Sequence, residues 1–245
     1  MQTNENQKAG RLIYKIGAFA TIFVLAGILL DIVIGTITGG DITSLPKTAI
    51  ERFNQLDQNP LMGLYNMDFL NAIIQLIFIP AYFALFAAHK NTSVKWEAKL
   101  AFIIFLAGTT LLVTGNTSLT MLDLSNRFAS ADSESQKMLY AAAGEAMLAR
   151  GAHGSLSVLI GFLLPNIAGI LMSFVMIKGG IFGKKASYAG LIGSFLMVIY
   201  LLLVTFAPGV DSMATAFAMP GGILLIIWII SFMISLFRLG KINKV

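Results

Sequence analysis

The chain has 245 residues, of which 57% are apolar and only 12% are charged, and its mean hydropathy is +0.81. A soluble domain has about 25% charged residues, so this composition excludes an ordinary soluble domain and predicts that most of the surface faces lipid. The absence of Cys excludes disulfides and thiolate metal sites, and His89 and His153 are too few for a multi-histidine zinc site or a bis-histidine haem site within one chain. No cofactor is expected.

Six apolar segments are long enough to cross a hydrocarbon core of about 30 Å, which takes around 20 helical residues. Because backbone groups in lipid must hydrogen-bond among themselves, we expect each segment to be an α-helix. The sequence therefore predicts an all-α, polytopic transmembrane helix bundle that forms a single domain over 1–245. The predicted spans are 12–38, 61–88, 98–122, 153–177, 187–207 and 213–237.

Lys and Arg are concentrated in the segments that would share one side of the membrane. Of seventeen basic residues, twelve lie in the two tails and in the 89–99 and 178–186 loops, and five lie in the other connections. Basic residues favour the cytoplasmic side, so both termini are predicted to be cytoplasmic, in an inner membrane of prokaryotic type. The net charge of +5 then reflects topology and requires no nucleic-acid partner. The twelve are Lys8, Arg11, Lys15, Lys90, Lys95, Lys99, Lys178, Lys184, Lys185, Arg238, Lys241 and Lys244.

Two long connections, 39–60 and 123–152, would lie on the outside, and each contains an amphipathic helix pattern. In the first, Ser44 can cap a helix that ends at Asn59-Pro60. In the second, Ser133 and Gln136 have the spacing of a capping box that opens a helix to about Arg150. Two alternatives are open: the helices cover an entrance to the bundle, or they are interfacial packing helices. Their predicted apolar residues are Leu45, Ile50, Phe53 and Leu56, then Met138, Leu139, Ala142, Ala146 and Ala149.

Three prolines lie within the predicted spans and are expected to interrupt them. Pro80 lies in the second span, Pro165 in the fourth, and Pro220-Gly221-Gly222 in the sixth. Such interruptions free backbone carbonyls that must find partners inside the protein. They mark a transporter site in some proteins and a simple kink in others.

Ionisable and amide side chains occur within the spans, where burial in lipid is costly, so each is a candidate site residue. Asp31 lies about 24 Å along the first helix from Lys15, and Asp68 and Asn116 fall at a similar depth in the outer half of the bilayer. The candidates for ligand binding or proton coupling are Asp31, Asp68, Asn71, Asn116 and His153. Secondary candidates are Tyr65, Gln75, Thr117 and Asp123.

This shared depth predicts a polar cavity that opens outward above a drier cytoplasmic half. The alternative is that these residues hydrogen-bond to one another, or to a loop arginine such as Arg150, and only orient the helices. Two nearby carboxylates would share a proton, which suits proton or cation coupling. If a metal ion binds, its ligands would come from Asp31, Asp68, Asp123 and His153.

The leading hypothesis is a membrane protein that binds, and transports, a small or amphiphilic ligand, with the lipid bilayer as its surroundings and a homodimer where one chain is too narrow for a full path. A membrane-embedded enzyme that acts on lipid headgroups with Asp and His is one alternative, although no H-E-x-x-H, G-x-S-x-G or P-loop motif is present. A non-catalytic assembly subunit is the other. It predicts polar residues that saturate one another and leave no cavity.

Three segments of the second half resemble a family of uncharacterised prokaryotic multi-pass inner-membrane proteins. They are AAAGEAMLARGAHG, YAGLIGSFLMVIYLLLVTFAPG and PGGILLIIWIISFMISLFRLGK. The resemblance implies an inner-membrane protein with six or seven helices and implies no activity or catalytic residues.

Overall fold

The computed structural model describes residues 2–37, 46–151, 155–207 and 209–241, and these form ten helices and no strand. In chain order the helices are α1 (Gln2–Ile37), α2 (Ala49–Gln58), α3 (Pro60–Tyr65), α4 (Phe69–His89), α5 (Lys95–Gly115), α6 (Ser118–Ala129), α7 (Glu134–Gly151), α8 (Leu156–Gly179), α9 (Lys184–Phe206) and α10 (Asp211–Lys241).

Six segments among the described residues are long and apolar enough to cross a membrane, and they contain α1, α4, α5, α8, α9 and α10. This agrees with the predicted all-helical class and with an integral multi-pass membrane protein. The identity of the membrane, and the side on which each terminus lies, stay predictions.

The six long helices form a closed ring in which each packs against the next in the sequence and α10 packs against α1. We call this arrangement the helix ring. One of its ends, the basic end, contains the starts of α1, α5 and α9 and the ends of α4, α8 and α10, and the lysines of the short connections lie there.

The remaining helices, α2, α3, α6 and α7, pack on one another at the opposite end of the helix ring and form what we call the helix layer. Its small core is built around Phe53 and Leu56, each only 1% exposed, together with Ala49 and Met121. The apolar residues of α2 fall at intervals of three and four, which places them on one side of the helix.

The first helix of this layer begins four residues later than the sequence pattern indicated. Thr48 is its N-cap and forms a capping box with Glu51, whereas Ser44 and Leu45 lie outside the described residues. Because the helix starts at Ala49, its buried residues are Ala49, Arg52, Phe53 and Leu56, and Ile50 is exposed. The predicted stop at Asn59 is where α2 gives way to α3, and Pro60 is the first residue of α3.

In α7 the predicted apolar side points away from the rest of the protein. Met138 is 70% exposed and Leu139 is 66% exposed. The side that packs is narrow: a Cβ added to Gly144 would lie 2.7 Å from both Ala49 and Phe53. This helix therefore packs through the side that contains Gly144 and not through its predicted apolar side.

The prolines do not interrupt their spans. Pro80, Pro165 and Pro220 lie inside the continuous helices α4, α8 and α10. A proline removes one backbone hydrogen bond, and packed neighbours keep the helix continuous. Pro165, for example, packs against Gly108 of α5, where a Cβ would have no room.

Two breaks occur where the sequence predicted unbroken spans, and both lie at the layer end of the helix ring. Residues 66–68 separate α3 from α4, and Asn116 and Thr117 separate α5 from α6. Asp68 has a φ of 60°, the left-handed conformation that Asp and Asn adopt more readily than most residues. The predicted span 98–122 is therefore divided between α5 and α6.

Candidate functional site

The helix ring contains a partly open cavity of about 650 Å³ that is lined by residues from α1, α4, α5, α8, α9 and α10. Ligand pockets in proteins have volumes of about 300–1,000 Å³ and mostly apolar walls with a few polar groups. This cavity has that character, since Ile, Leu, Met and aromatic side chains surround a small polar set. The polar set consists of Asp31, Asn71, Gln75, Asn166 and Ser194.

The cavity extends from the layer end of the helix ring toward its middle. Asp31 lies near the end of α1 and Asn71 near the start of α4, and both line the cavity, as does Tyr82 much further along α4. From Asn71 to Tyr82 the helix rises about 16 Å. The polar end of the cavity is therefore at the depth at which the sequence predicted one, in the half of the helix ring away from the basic end.

Asp31 supplies the only carboxyl group among the described residues that line this cavity, and none of these residues is Lys, Arg or His. A single acidic group in a largely apolar space favours a ligand or ion of positive charge, because no basic side chain in the lining neutralises it.

Three amides in the cavity are held by one hydrogen bond each and keep atoms available for a ligand. Asn71 Nδ2 donates to Asp68 Oδ1 at 3.0 Å, and Asn166 Nδ2 donates to the Phe162 carbonyl at 2.9 Å. Thr109 donates to Gln75 Oε1 at 3.3 Å. The Asn71 and Asn166 oxygens and the Gln75 nitrogen thus have no hydrogen-bond partner among the described residues.

Aromatic side chains close the cavity on the side of the basic end, and we call this group the aromatic floor: Phe78, Tyr82, Phe105, Trp228 and Phe232. Tyr82 and Phe105 stack with centroids 3.8 Å apart and planes within 8°. Phe78 meets both edge-on, and Trp228 packs edge-on against Tyr82 and Phe232. These contacts fill the centre of the helix ring, so the cavity is blind on this side.

A second group of polar residues surrounds the Tyr65 hydroxyl just beyond the cavity. Tyr65 donates to the backbone carbonyl of Asp31 at 3.1 Å. Burial, and then the negative charges of Asp31 and Asp68, raise the pKa of Tyr65 to about 12. Both carboxyl groups therefore act on this hydroxyl. Asp68 also lies in the electrostatic field of Arg52 of α2, a largely buried residue whose pKa burial lowers.

Asn116 does not line the cavity. Its Nδ2 donates to the Met67 carbonyl at 2.8 Å, and its Oδ1 accepts from both the backbone and the hydroxyl of Ser118. The side chain thus joins the break between α5 and α6 to the break before α4. Thr117 is buried in the same junction, where the end of α7 packs against it.

The other predicted residues lie elsewhere. Asp123 forms an ion pair of 2.8 Å with Arg127 on the exposed side of α6. Arg150 donates to the Thr114 carbonyl at the end of α5 rather than to a carboxylate. His153 lies outside the described residues. Within the described ranges no three His, Cys, Asp or Glu side chains are grouped as metal ligands.

Neither Asn166 nor Ser194 was among the site residues predicted from the sequence. Asn166 is a polar residue inside an apolar span, directly after Pro165, and the rule that selected Asn71 and Asn116 would have selected it too. The aromatic floor had no comparable signal, because its members come from α4, α5 and α10 and their stacking depends on how these helices pack.

The chain matches no protein-family model, no curated protein and no solved structure. The resemblance to uncharacterised inner-membrane proteins therefore rests on the three segments that suggested it.

Proposed function

We propose that the protein binds a small amphiphilic ligand with one positive charge in the cavity of the helix ring. The observation that supports this most directly is the arrangement of a single carboxyl group, Asp31, at the polar end of a cavity whose far end is the aromatic floor.

Each end of the cavity favours a different part of such a ligand. Asp31 attracts the cationic group, and the free amide oxygen of Asn71 orients it. The aromatic side chains favour an apolar body and attract positive charge through their ring faces. Given the rise of about 16 Å along α4, a ligand with a charged head and an apolar part of roughly 10 Å fits this length.

Transport is the second part of the proposal. Asp31 is the charge or proton carrier, and Asp68 is coupled to it through the shared environment of Tyr65. Movement of a ligand toward the basic end requires the stacked side chains of Tyr82 and Phe105 to separate. The cavity favours ligand binding over the assembly-subunit alternative, which predicted that polar residues would fill this space.

The chain allows a direct test, because it has two Trp residues and only Trp228 lines the cavity. Trp96 is 65% exposed at the basic end, and its replacement in Trp96→Phe leaves Trp228 as the only indole. In nanodiscs of this variant we expect decyltrimethylammonium to change the Trp228 emission with a saturable dependence on concentration. Decanol, an amphiphile with an equally long chain and no charge, should give only the linear response of partition into lipid. Equal responses to the two probes would count against the proposal.

A further inference from the structure

A second cavity, of about 500 Å³, lies at the basic end between α9 and α10, where α8 gives way to α9. It is separate from the polar end of the first cavity, and Trp228 contributes to the walls of both. We propose that this cavity binds the phosphate group of an anionic membrane lipid.

The first reason is the charge of the lining. Lys185 from the first turn of α9 and Arg238 from the last turns of α10 both line the cavity, and no acidic residue does. Among the described residues neither cation forms an ion pair. Two cations from different helices, without a carboxylate between them, match the two or more charged oxygens of a phosphate.

The second reason is the backbone at the start of α9. Gly183 is the N-cap and supplies no side-chain acceptor for the first backbone N–H groups of the helix. These groups, with the positive end of the helix dipole, lie at the same cavity as Lys185 and Arg238, so they add to the attraction for an anion. Ser231 and Ser235 also line it, but their hydroxyls donate to the Ile227 and Ser231 carbonyls of α10 and add no donor for the anion.

The third reason concerns the source of the phosphate. Ile227 and Ile234 line the cavity and are 46% and 42% exposed on the side of α10 that faces away from the helix ring. In a bilayer this surface meets acyl chains, so a headgroup in the cavity can keep its chain along α10. Basic pockets between membrane helices are known to bind lipid headgroups in this way. A soluble phosphate would make no use of these isoleucines.

The experiment compares three probes on purified protein by native mass spectrometry and thermal stability: phosphatidylglycerol, phosphatidylcholine and glycerol phosphate. We expect retention of phosphatidylglycerol alone. Preferential binding of glycerol phosphate would overturn the lipid assignment, and equal retention of phosphatidylcholine would overturn the requirement for an anion.

The matched variants are Lys185→Gln/Arg238→Gln and Lys90→Gln/Lys99→Gln, which remove the same charge from the same end of the molecule. The first should lower the affinity for phosphatidylglycerol at least tenfold, and the second should change it less than twofold. Equal losses would show a diffuse surface attraction and contradict the proposal. If the first variant is not monodisperse, Lys185→Arg/Arg238→Lys, which keeps both charges, should bind within threefold of wild type, and a tenfold loss there would contradict the proposal as well.

Discussion

The Tyr65 hydroxyl lies 3.1 Å from the backbone carbonyl oxygen of Asp31, and through this hydrogen bond the helix layer is joined to the helix that supplies the cavity's carboxyl group. The junction is close, because a Cβ on Gly35 of α1 would lie 3.5 Å from the same hydroxyl. The helix layer therefore holds the end of α1 at the polar end of the cavity, and this contact sets the position of Asp31.

Asn71 and Asn116 were both predicted to be site residues, but their substitution should have different effects on stability and on affinity. Asn116→Ala removes a junction between two helix breaks and should lower the stability by about 1–3 kcal/mol, because buried backbone groups lose their partners. Its affinity for the cationic probe should stay within threefold of wild type. Asn71→Ala should show the opposite pattern, with a loss of affinity of about tenfold and a smaller change in melting temperature. The two variants are compared by thermal melts and by Trp228 titrations. A loss of affinity in Asn116→Ala would show that Asn116 takes part in ligand binding.

A larger side chain at Gly222 should block the cavity without disturbing the fold. Gly222 lines the cavity, and a Cβ there would meet no atom within 4 Å, so the Leu of Gly222→Leu has room to enter the empty space. We expect the saturable Trp228 response to fall at least tenfold while the melting temperature is kept. Gly10→Leu is the control, since Gly10 is equally unobstructed and does not line the cavity. Full binding by Gly222→Leu would mean that the ligand occupies another place.

Close packing between neighbouring helices of the helix ring depends on glycine at particular positions. A Cβ on Gly161 of α8 would lie 2.8 Å from the backbone nitrogen of Leu112 in α5, and backbone atoms cannot move aside as a flexible side chain can. Gly161→Ala should therefore destabilise the protein by roughly 1–3 kcal/mol, the usual cost of overpacking. Gly10→Ala, where no atom is near, should be neutral or slightly stabilising. Melting temperatures of the two variants in the same detergent decide the matter, and a Gly161→Ala protein as stable as wild type would contradict the close contact.

The capping box of α2 should make its stability depend on pH. The Glu51 carboxylate accepts hydrogen bonds from the backbone N–H groups of Lys47 and Thr48, and these lower the pKa of Glu51 below its ordinary value. A carboxyl group with a lowered pKa in the folded state stabilises that state above its ordinary pKa, and the contribution is lost as the pH falls through the folded value. Glu51→Gln should therefore melt below wild type at pH 7, and the difference should shrink at pH 3.5. A difference that stays constant with pH would show that the charge is not involved.

The sequence predicted the features that depend on composition and on single residues in lipid. Long apolar segments form α-helices in a membrane, so the six helices could be predicted from them. The cost of burying a carboxyl group made Asp31 a candidate, and Asp31 lines the cavity. The depth of Asn71 and Gln75 on α4 followed from helix geometry as well.

The remaining features depend on contacts between helices, which a single sequence does not contain. At the break after α5 the Asn116 amide donates to the carbonyl of Met67, a residue distant in the sequence, and this contact has no local signal. Pro165 did not break α8, and Gly108 of the neighbouring helix α5 packs closely against its ring. The stacked pair of Tyr82 and Phe105 joins residues whose partnership appears only once α4 and α5 lie side by side.

In the proposed site Asp31 holds the positive charge of the ligand, and Asp31→Asn removes the carboxylate charge with little change in side-chain size. In the Trp96→Phe background, decyltrimethylammonium is titrated against Asp31→Asn and against Asp57→Asn, which removes an exposed carboxyl group from α2. The quaternary ammonium has no N–H to donate, so Asp31 attracts it by charge, with an energy of about 4 kcal/mol at a separation near 4 Å before the cost of desolvation. Asp31→Asn should therefore weaken binding by roughly 10-fold to 100-fold, and Asp57→Asn should leave it within twofold. If a folded Asp31→Asn protein bound decyltrimethylammonium as tightly as wild type, Asp31 would not be the group that holds the ligand's charge.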